Sequence, residues 1–171
     1  PNLLTMDVEM EKNVRTSTDP SKQLEAAVYF RKLLSDKGPP IQQVIELGLV
    51  PHFVQFMQNS ECPDLQFQAA WILTNIASGT AEHCQCVIQA GAVPVLVSLL
   101  EATSMDVKDQ VVWALGNIAG DSVQHRDTLL EAGVLAALIQ AARGVSLNDV
   151  STITFLRNIT WTLSNHCRGK P

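Results

Sequence analysis

Apolar positions recur along this chain at helical spacing, and whole segments recur again a few tens of residues later. The segments at 46–57, 89–100 and 131–142 resemble one another, each carrying a glycine (Gly48, Gly91, Gly133) before a densely apolar run. A second set interleaves with the first, at 67–77, 110–119 and 156–165, with 24–34 as an earlier, diverged member. Apolar residues in this second set fall at i, i+3, i+4 and i+7, as in Ala69, Ala70, Leu73, Ile76 and Ala77, which predicts amphipathic helices. The three glycines mark breaks, and Pro51 and Pro94 fall where proline suits a first helical turn. Strand alternation and hairpin dipeptides are absent from the sequence.

The repeat period is roughly 40 residues, the length of an armadillo or HEAT unit. A single unit of this size cannot bury its apolar face, so neighbours must stack around a continuous core. The expected architecture is all-α: an armadillo-repeat, right-handed superhelical solenoid of about four repeats with up to three helices each. The expected division is an N-terminal extension over 1–20, followed by armadillo repeats over 21–171 that carry a binding groove.

One polar row is not required by such a core. In three successive units an amide, a tryptophan and an asparagine stand at i, i+3 and i+7: Gln68, Trp71 and Asn75; Gln110, Trp113 and Asn117; Asn158, Trp161 and Asn165. That spacing puts each trio on one helix stripe. A single tryptophan in a helix reads more readily as core, and a single asparagine as solvated. Three repetitions need a common cause, because asparagine is a poor mid-helix residue and is costly when buried without partners. The row predicts a surface for an extended peptide. Asparagine offers a donor and an acceptor to the peptide main chain. Indole faces offer slots for a lysine stem and cation–π attraction for its ammonium. Asp121, one turn beyond Asn117, opposes the helix dipole and with free carbonyls would make a cation site; from position alone it reads equally as a solvated loop residue.

Charge supports a cationic ligand. The net charge of -5 disfavours nucleic acid and favours basic peptides. No apolar run reaches membrane-spanning length, and the first residues lack the basic-then-apolar order of a signal peptide. Four cysteines are too few for a disulfide scaffold of this length and read as reduced thiols. Cys84-Gln-Cys86 beside His83 is too short a stretch to surround one metal, and no distant Cys/His pair has ligand spacing. Neither a phosphate loop nor a nucleophile elbow occurs. The expectation is therefore a non-enzyme with no catalytic residues, no metal and no cofactor.

Three stretches resemble the importin-α (karyopherin-α) family: Ala69-Ala-Trp-Ile-Leu-Thr-Asn-Ile-Ala-Ser-Gly-Thr80, Val112-Trp-Ala-Leu-Gly-Asn-Ile-Ala-Gly-Asp-Ser122 and Leu156-Arg-Asn-Ile-Thr-Trp-Thr-Leu-Ser-Asn-His-Cys-Arg-Gly-Lys170. The likeness runs from about Lys22 to the end of the chain. It implies a nuclear import adaptor, in fragment or truncated form, that binds lysine/arginine-rich nuclear localisation signals of cargo in an extended conformation, moving between cytoplasm and nucleus. The implied groove residues are Trp71, Asn75, Trp113, Asn117, Trp161 and Asn165. Asp121 and the Gly79 carbonyl would receive a key lysine, with Ser78, Gln110, Asn158 and Arg168 bordering the groove. The alternative is an armadillo scaffold or cargo-sequestering protein without transport activity.

The sequence departs from the family in several places. Cys84 stands where the family usually places a threonine or serine hydroxyl beside the key lysine pocket, and its weak sulfur acceptor lowers the expected affinity there. His166 replaces a usually apolar residue, and the earliest repeat has Val28 and Lys32 where Trp and Asn would fall. The resemblance implies importin-β as a partner, but residues 1–20 lack the basic segment that engages it. An uncapped last repeat predicts self-association. Neither nucleic acid nor membrane is an expected partner.

Overall fold

A computed structural model describes residues 6–146 and 150–168. Among these residues the chain forms eleven helices: α1 (Val8–Thr16), α2 (Pro20–Ser35), α3 (Ile41–Glu46), α4 (Val50–Met57), α5 (Pro63–Ala77), α6 (Ala81–Gln89), α7 (Ala92–Leu99), α8 (Met105–Asp121), α9 (Val123–Glu131), α10 (Val134–Arg143) and α11 (Val150–His166). No strand occurs among the described residues. None of the helices is long and apolar enough to cross a membrane.

Local signals set the helix boundaries. Asp7, Asp19, Thr80, Ser104 and Ser122 cap helix N-termini by accepting backbone N–H bonds. At Gly91 (φ 82°) and Gly133 (φ 80°) the chain turns through the left-handed region to join α6 to α7 and α9 to α10. A side chain there would strain the junction, which is why glycine recurs before each apolar run.

The long helices α2, α5, α8 and α11 stack side by side in one layer. Helices α4, α7 and α10 flank it as a second row, and the short α3 and α6 pack against each other between units. Each later unit is thus a triplet of two shorter helices and one long one. The core is one continuous apolar cluster that runs through the units, including Phe30, Phe53, Leu73, Leu96, Leu115 and Phe155. Its continuity is what makes the repeats interdependent.

Of the expected extension, residues 6–20 are described, and they pack against the repeats. Helix α1 packs on α2 and α4 and buries Val14, while the Asp7 N–H donates to the Tyr29 hydroxyl. The Arg15 guanidinium reaches the Leu47 carbonyl. At the other end, Leu135 and Ile139 of α10 and Val150 and Ile153 of α11 remain exposed.

Candidate functional site: an amide and indole ladder on the long-helix layer

The residues of the polar row lie on α5, α8 and α11, three adjacent helices of one layer. Close approach of α8 and α11 depends on glycine. A Cβ at Gly116 would sit 2.1 Å from the Trp161 ring and 2.8 Å from Thr162 Oγ1; one at Gly120 would sit 3.1 Å from the Asn165 amide nitrogen. Thr162 Oγ1–H donates to the Val112 carbonyl at 3.0 Å across the same seam.

The asparagines form a connected ladder. Asn165 Nδ2–H donates to the Gly116 carbonyl at 2.9 Å, and Asn117 Nδ2–H donates to the Thr74 carbonyl at 3.3 Å. In both cases the acceptor is the residue just before the previous rung's asparagine. Asn75 Nδ2–H donates to Ser35 Oγ at 3.1 Å, which continues the pattern into α2. These bonds stitch each unit to the one before it and fix the orientation of each amide. One amide proton is therefore already committed in every rung. In Asn165 the carbonyl oxygen is buried and without a partner.

The amides at the first position of each trio also reach back one unit. Gln68 Oε1 accepts from Arg31 Nε–H at 3.0 Å, Gln110 Nε2–H donates to Thr74 Oγ1 at 2.9 Å, and Asn158 Nδ2–H donates to Asp109 Oδ1 at 2.7 Å. Burial raises the Asp109 carboxyl above the usual aspartate range, and the Asn158 bond opposes that rise.

The indoles differ from rung to rung. Trp113 is 46 % and Trp161 is 36 % exposed, and their ring centroids stand 5.7 Å apart with planes at 44°. They form a closed wedge rather than the open slot expected from spacing alone. Trp71 is half-buried; it meets Phe67 edge-on at 5.6 Å, and the Arg31 guanidinium lies 4.9 Å over its ring. This chain's own cation thus occupies one face of that indole. Val28 and Lys32 do not complete a rung in α2; Arg31 and Ser35 make the contacts to α5 instead.

Beside the wedge is a groove pocket of about 290 Å³ lined by Ser78, Gly79, Asn117, Asp121, Asn165 and Arg168, among others. The long-range grouping of these residues in the sequence reading is therefore a grouping in space. Asp121 ends α8 and its carboxylate is only 16 % exposed; Oδ2 lies 2.7 Å from His125 Nδ1. His125 Nε2 lies 2.8 Å from Gln85 Oε1. Cys84 packs in the same neighbourhood, fully buried, and its thiol is pushed up to about 12 by burial and by the Asp121 charge. Arg168 is held at the pocket rim, where its carbonyl accepts from the Arg126 guanidinium.

His83 is not part of this cluster: it completes the α6 cap, accepting the Thr80 N–H at 3.1 Å while Thr80 Oγ1 accepts the His83 N–H. The roles of Arg31, His125, Gln85 and Gly116 were missed from sequence. His125 lies four residues after Asp121, a readable spacing, but a helix break at Ser122 intervenes.

Comparison with known proteins places this geometry. The family model described as "Armadillo/beta-catenin-like repeat" matches residues 39–78 and 80–120. A designed armadillo repeat protein solved in complex with the peptide (KR)4 superposes with a TM-score of 0.82 at 28% identity, over 92% of this chain and 62% of that one. The fold and repeats define an armadillo-repeat protein.

At the finer level, the chain is similar to importin-α subunits across 91% of its length. It is 58% identical over 156 residues to importin subunit alpha-4 of Arabidopsis thaliana, 53% to importin subunit alpha-1b of Oryza sativa subsp. japonica and 56% to importin subunit alpha-B of Dictyostelium discoideum. It spans 28% of the length of the first two relatives and 30% of the third.

Proposed function

We propose that this chain binds lysine- and arginine-rich nuclear localisation signals as extended peptides, along the ladder from Trp71 to Asn165, in the manner of a nuclear import adaptor working between cytoplasm and nucleus. The observation that carries the reading is the exposed Trp113–Trp161 pair standing beside a pocket that holds Asp121. Two large aromatic side chains left in water cost free energy that a ligand recovers on binding.

An extended peptide rises about 3.3 Å per residue, so alternate side chains meet successive features of the ladder. The carbonyl oxygens of the half-buried Asn75 and Asn117 accept peptide N–H groups, and their second amide protons remain available to a peptide carbonyl, whereas Asn165 is buried and must turn outward to do the same. A lysine ammonium placed in the pocket meets the Asp121 carboxylate and the Gly79 carbonyl, while its stem lies against the indoles. Ser78, Gln110, Asn158 and Arg168 border the path. The names of the importin subunit relatives and the (KR)4 peptide held by the designed repeat protein support the same ligand class. Recruitment of importin-β belongs to this proposal only through the family likeness.

The test is a titration of a fluorescent lysine-cluster peptide into the chain, in buffer with a chelator. Saturable binding is expected, weakened at least about tenfold by Trp113→Ala, in line with loss of an aromatic anchor. A folded chain that ignores the peptide, or binds it equally well as Trp113→Ala, contradicts the proposal.

A further inference from the structure

Cys84, which the resemblance sets beside the key lysine but which is fully buried, and His125, to which it gives no role, flank the central carboxylate of the proposed peptide site. Cys84 comes from α6, Asp121 from the end of α8 and His125 from the first turn of α9. One ligand atom from each of the three lies within 4.8 Å of the other two. The two outer groups are buried, whereas Asp121 opens onto the groove pocket.

We propose that Cys84, Asp121 and His125 form a three-ligand site for a zinc-class divalent transition metal ion, with its fourth position open to the groove. The donor set is one sulfur, one nitrogen and one oxygen. That mixture suits zinc and its spectroscopic substitute cobalt, and is wrong for calcium or magnesium, which require several oxygens. Ligand atoms around a tetrahedral ion with bonds of about 2.0–2.3 Å stand roughly 3.3–3.7 Å apart. A pair at the full 4.8 Å would close by about 1–1.5 Å, and Asp121 Oδ2 and His125 Nδ1, now 2.7 Å apart, would open by about 0.6–1 Å, both within reach of small side-chain rotations. The histidine is also held as a ligand needs to be. Nε2–H donated to Gln85 Oε1 fixes the ring, and the proton that joins Nδ1 to Asp121 Oδ2 would leave to solvent as the ion takes its place between them. On binding, the Cys84 thiol releases its proton to solvent and the ion takes the thiolate; the positive charge of the ion reverses the effect of burial and of Asp121 on that group.

An ion held there uses the carboxylate assigned above to the key lysine. Metal and signal peptide would then compete, a consequence that rests on the peptide reading, whereas the metal site itself does not.

The experiment is a cobalt titration of the tag-free, reduced, full chain followed by absorption. A saturable near-ultraviolet thiolate-to-cobalt band is expected at one equivalent. It should vanish in Cys84→Ser and need at least about tenfold more cobalt in His125→Gln. Cys167→Ser, an exposed thiol outside the cluster, should leave it unchanged. Circular dichroism on each variant separates ligand loss from unfolding. No band in the wild type, or a band that survives Cys84→Ser, overturns the site. In the second arm, zinc should weaken lysine-peptide binding in the wild type and leave Cys84→Ser unaffected; equal inhibition of both overturns the competition. A cobalt band without any peptide binding removes the import reading alone, and peptide binding without a cobalt band removes the metal site alone.

Discussion

Trp113 and Trp161 lean on each other with ring centroids 5.7 Å apart and planes tilted by 44°. A lysine stem needs more room than this wedge leaves, so the rings must part or rotate when a peptide enters. Tryptophan emission should therefore change on titration with a lysine-rich peptide, with the same midpoint as the binding curve. The change should be lost in Trp161→Phe even where residual binding persists. Binding with no change in emission would mean that the peptide lies elsewhere.

Arg31 holds a guanidinium 4.9 Å over Trp71, in the place a ligand cation would use. An exposed cation–π contact is worth about 0.5–1 kcal/mol. Replacing Arg31 by alanine should tighten binding of peptides long enough to reach Trp71 by roughly two- to fivefold, because the competing cation is gone. Peptides too short to reach that rung should be unaffected, and comparing the two peptide lengths by anisotropy checks this.

Gly116 lets α11 close on α8. A methyl group added there would stand 2.1 Å from the Trp161 ring, so something must shift. Gly116→Ala should lower stability by about 1–3 kcal/mol in urea unfolding, the usual cost of overpacking. Because the displaced ring belongs to the wedge, peptide affinity should fall as well.

His166 gives the fold a pH dependence. Burial depresses its pKa, the Thr162 carbonyl that accepts from Nδ1–H opposes this, and Arg126 adds to the depression. A histidine with a depressed folded pKa favours the folded state above its unfolded value, near 6.5. That contribution is lost as pH falls from there towards the folded pKa. The melting temperature should thus drop between pH 7.5 and 5.5, and His166→Leu should flatten the drop. An unchanged slope in His166→Leu would assign the acid sensitivity to other groups.

The repeat architecture was legible because it is written several times. Glycine before each apolar run and the helical spacing of the second set both reappear as left-handed junctions and long helices. The Trp–Asn row was legible for the same reason. Contacts made once were not. Arg31 over Trp71 depends on how far α2 lies from α5, and spacing along the chain holds no record of that distance. The closed wedge depends on Gly116, whose place between Leu115 and Asn117 says nothing of the ring that α11 brings against it. Cys84 and His125 lie 41 positions apart and meet only because successive units stack. Spacing rules for metal ligands are local, so they give no hint of a side-chain cluster assembled across two units. Asparagine as a free bidentate clamp was also too simple, since one amide proton per rung joins the repeats.

The most direct test of the central claim is a double-mutant cycle between Asp121→Asn and replacement of the peptide's dominant lysine by norleucine, measured with a chelator present. If that lysine sits at Asp121, each change alone weakens binding by about tenfold or more, as for a close charge pair at an interface, and both together weaken it little further. Fully additive losses would contradict the account, because they would mean that the lysine and Asp121 never meet.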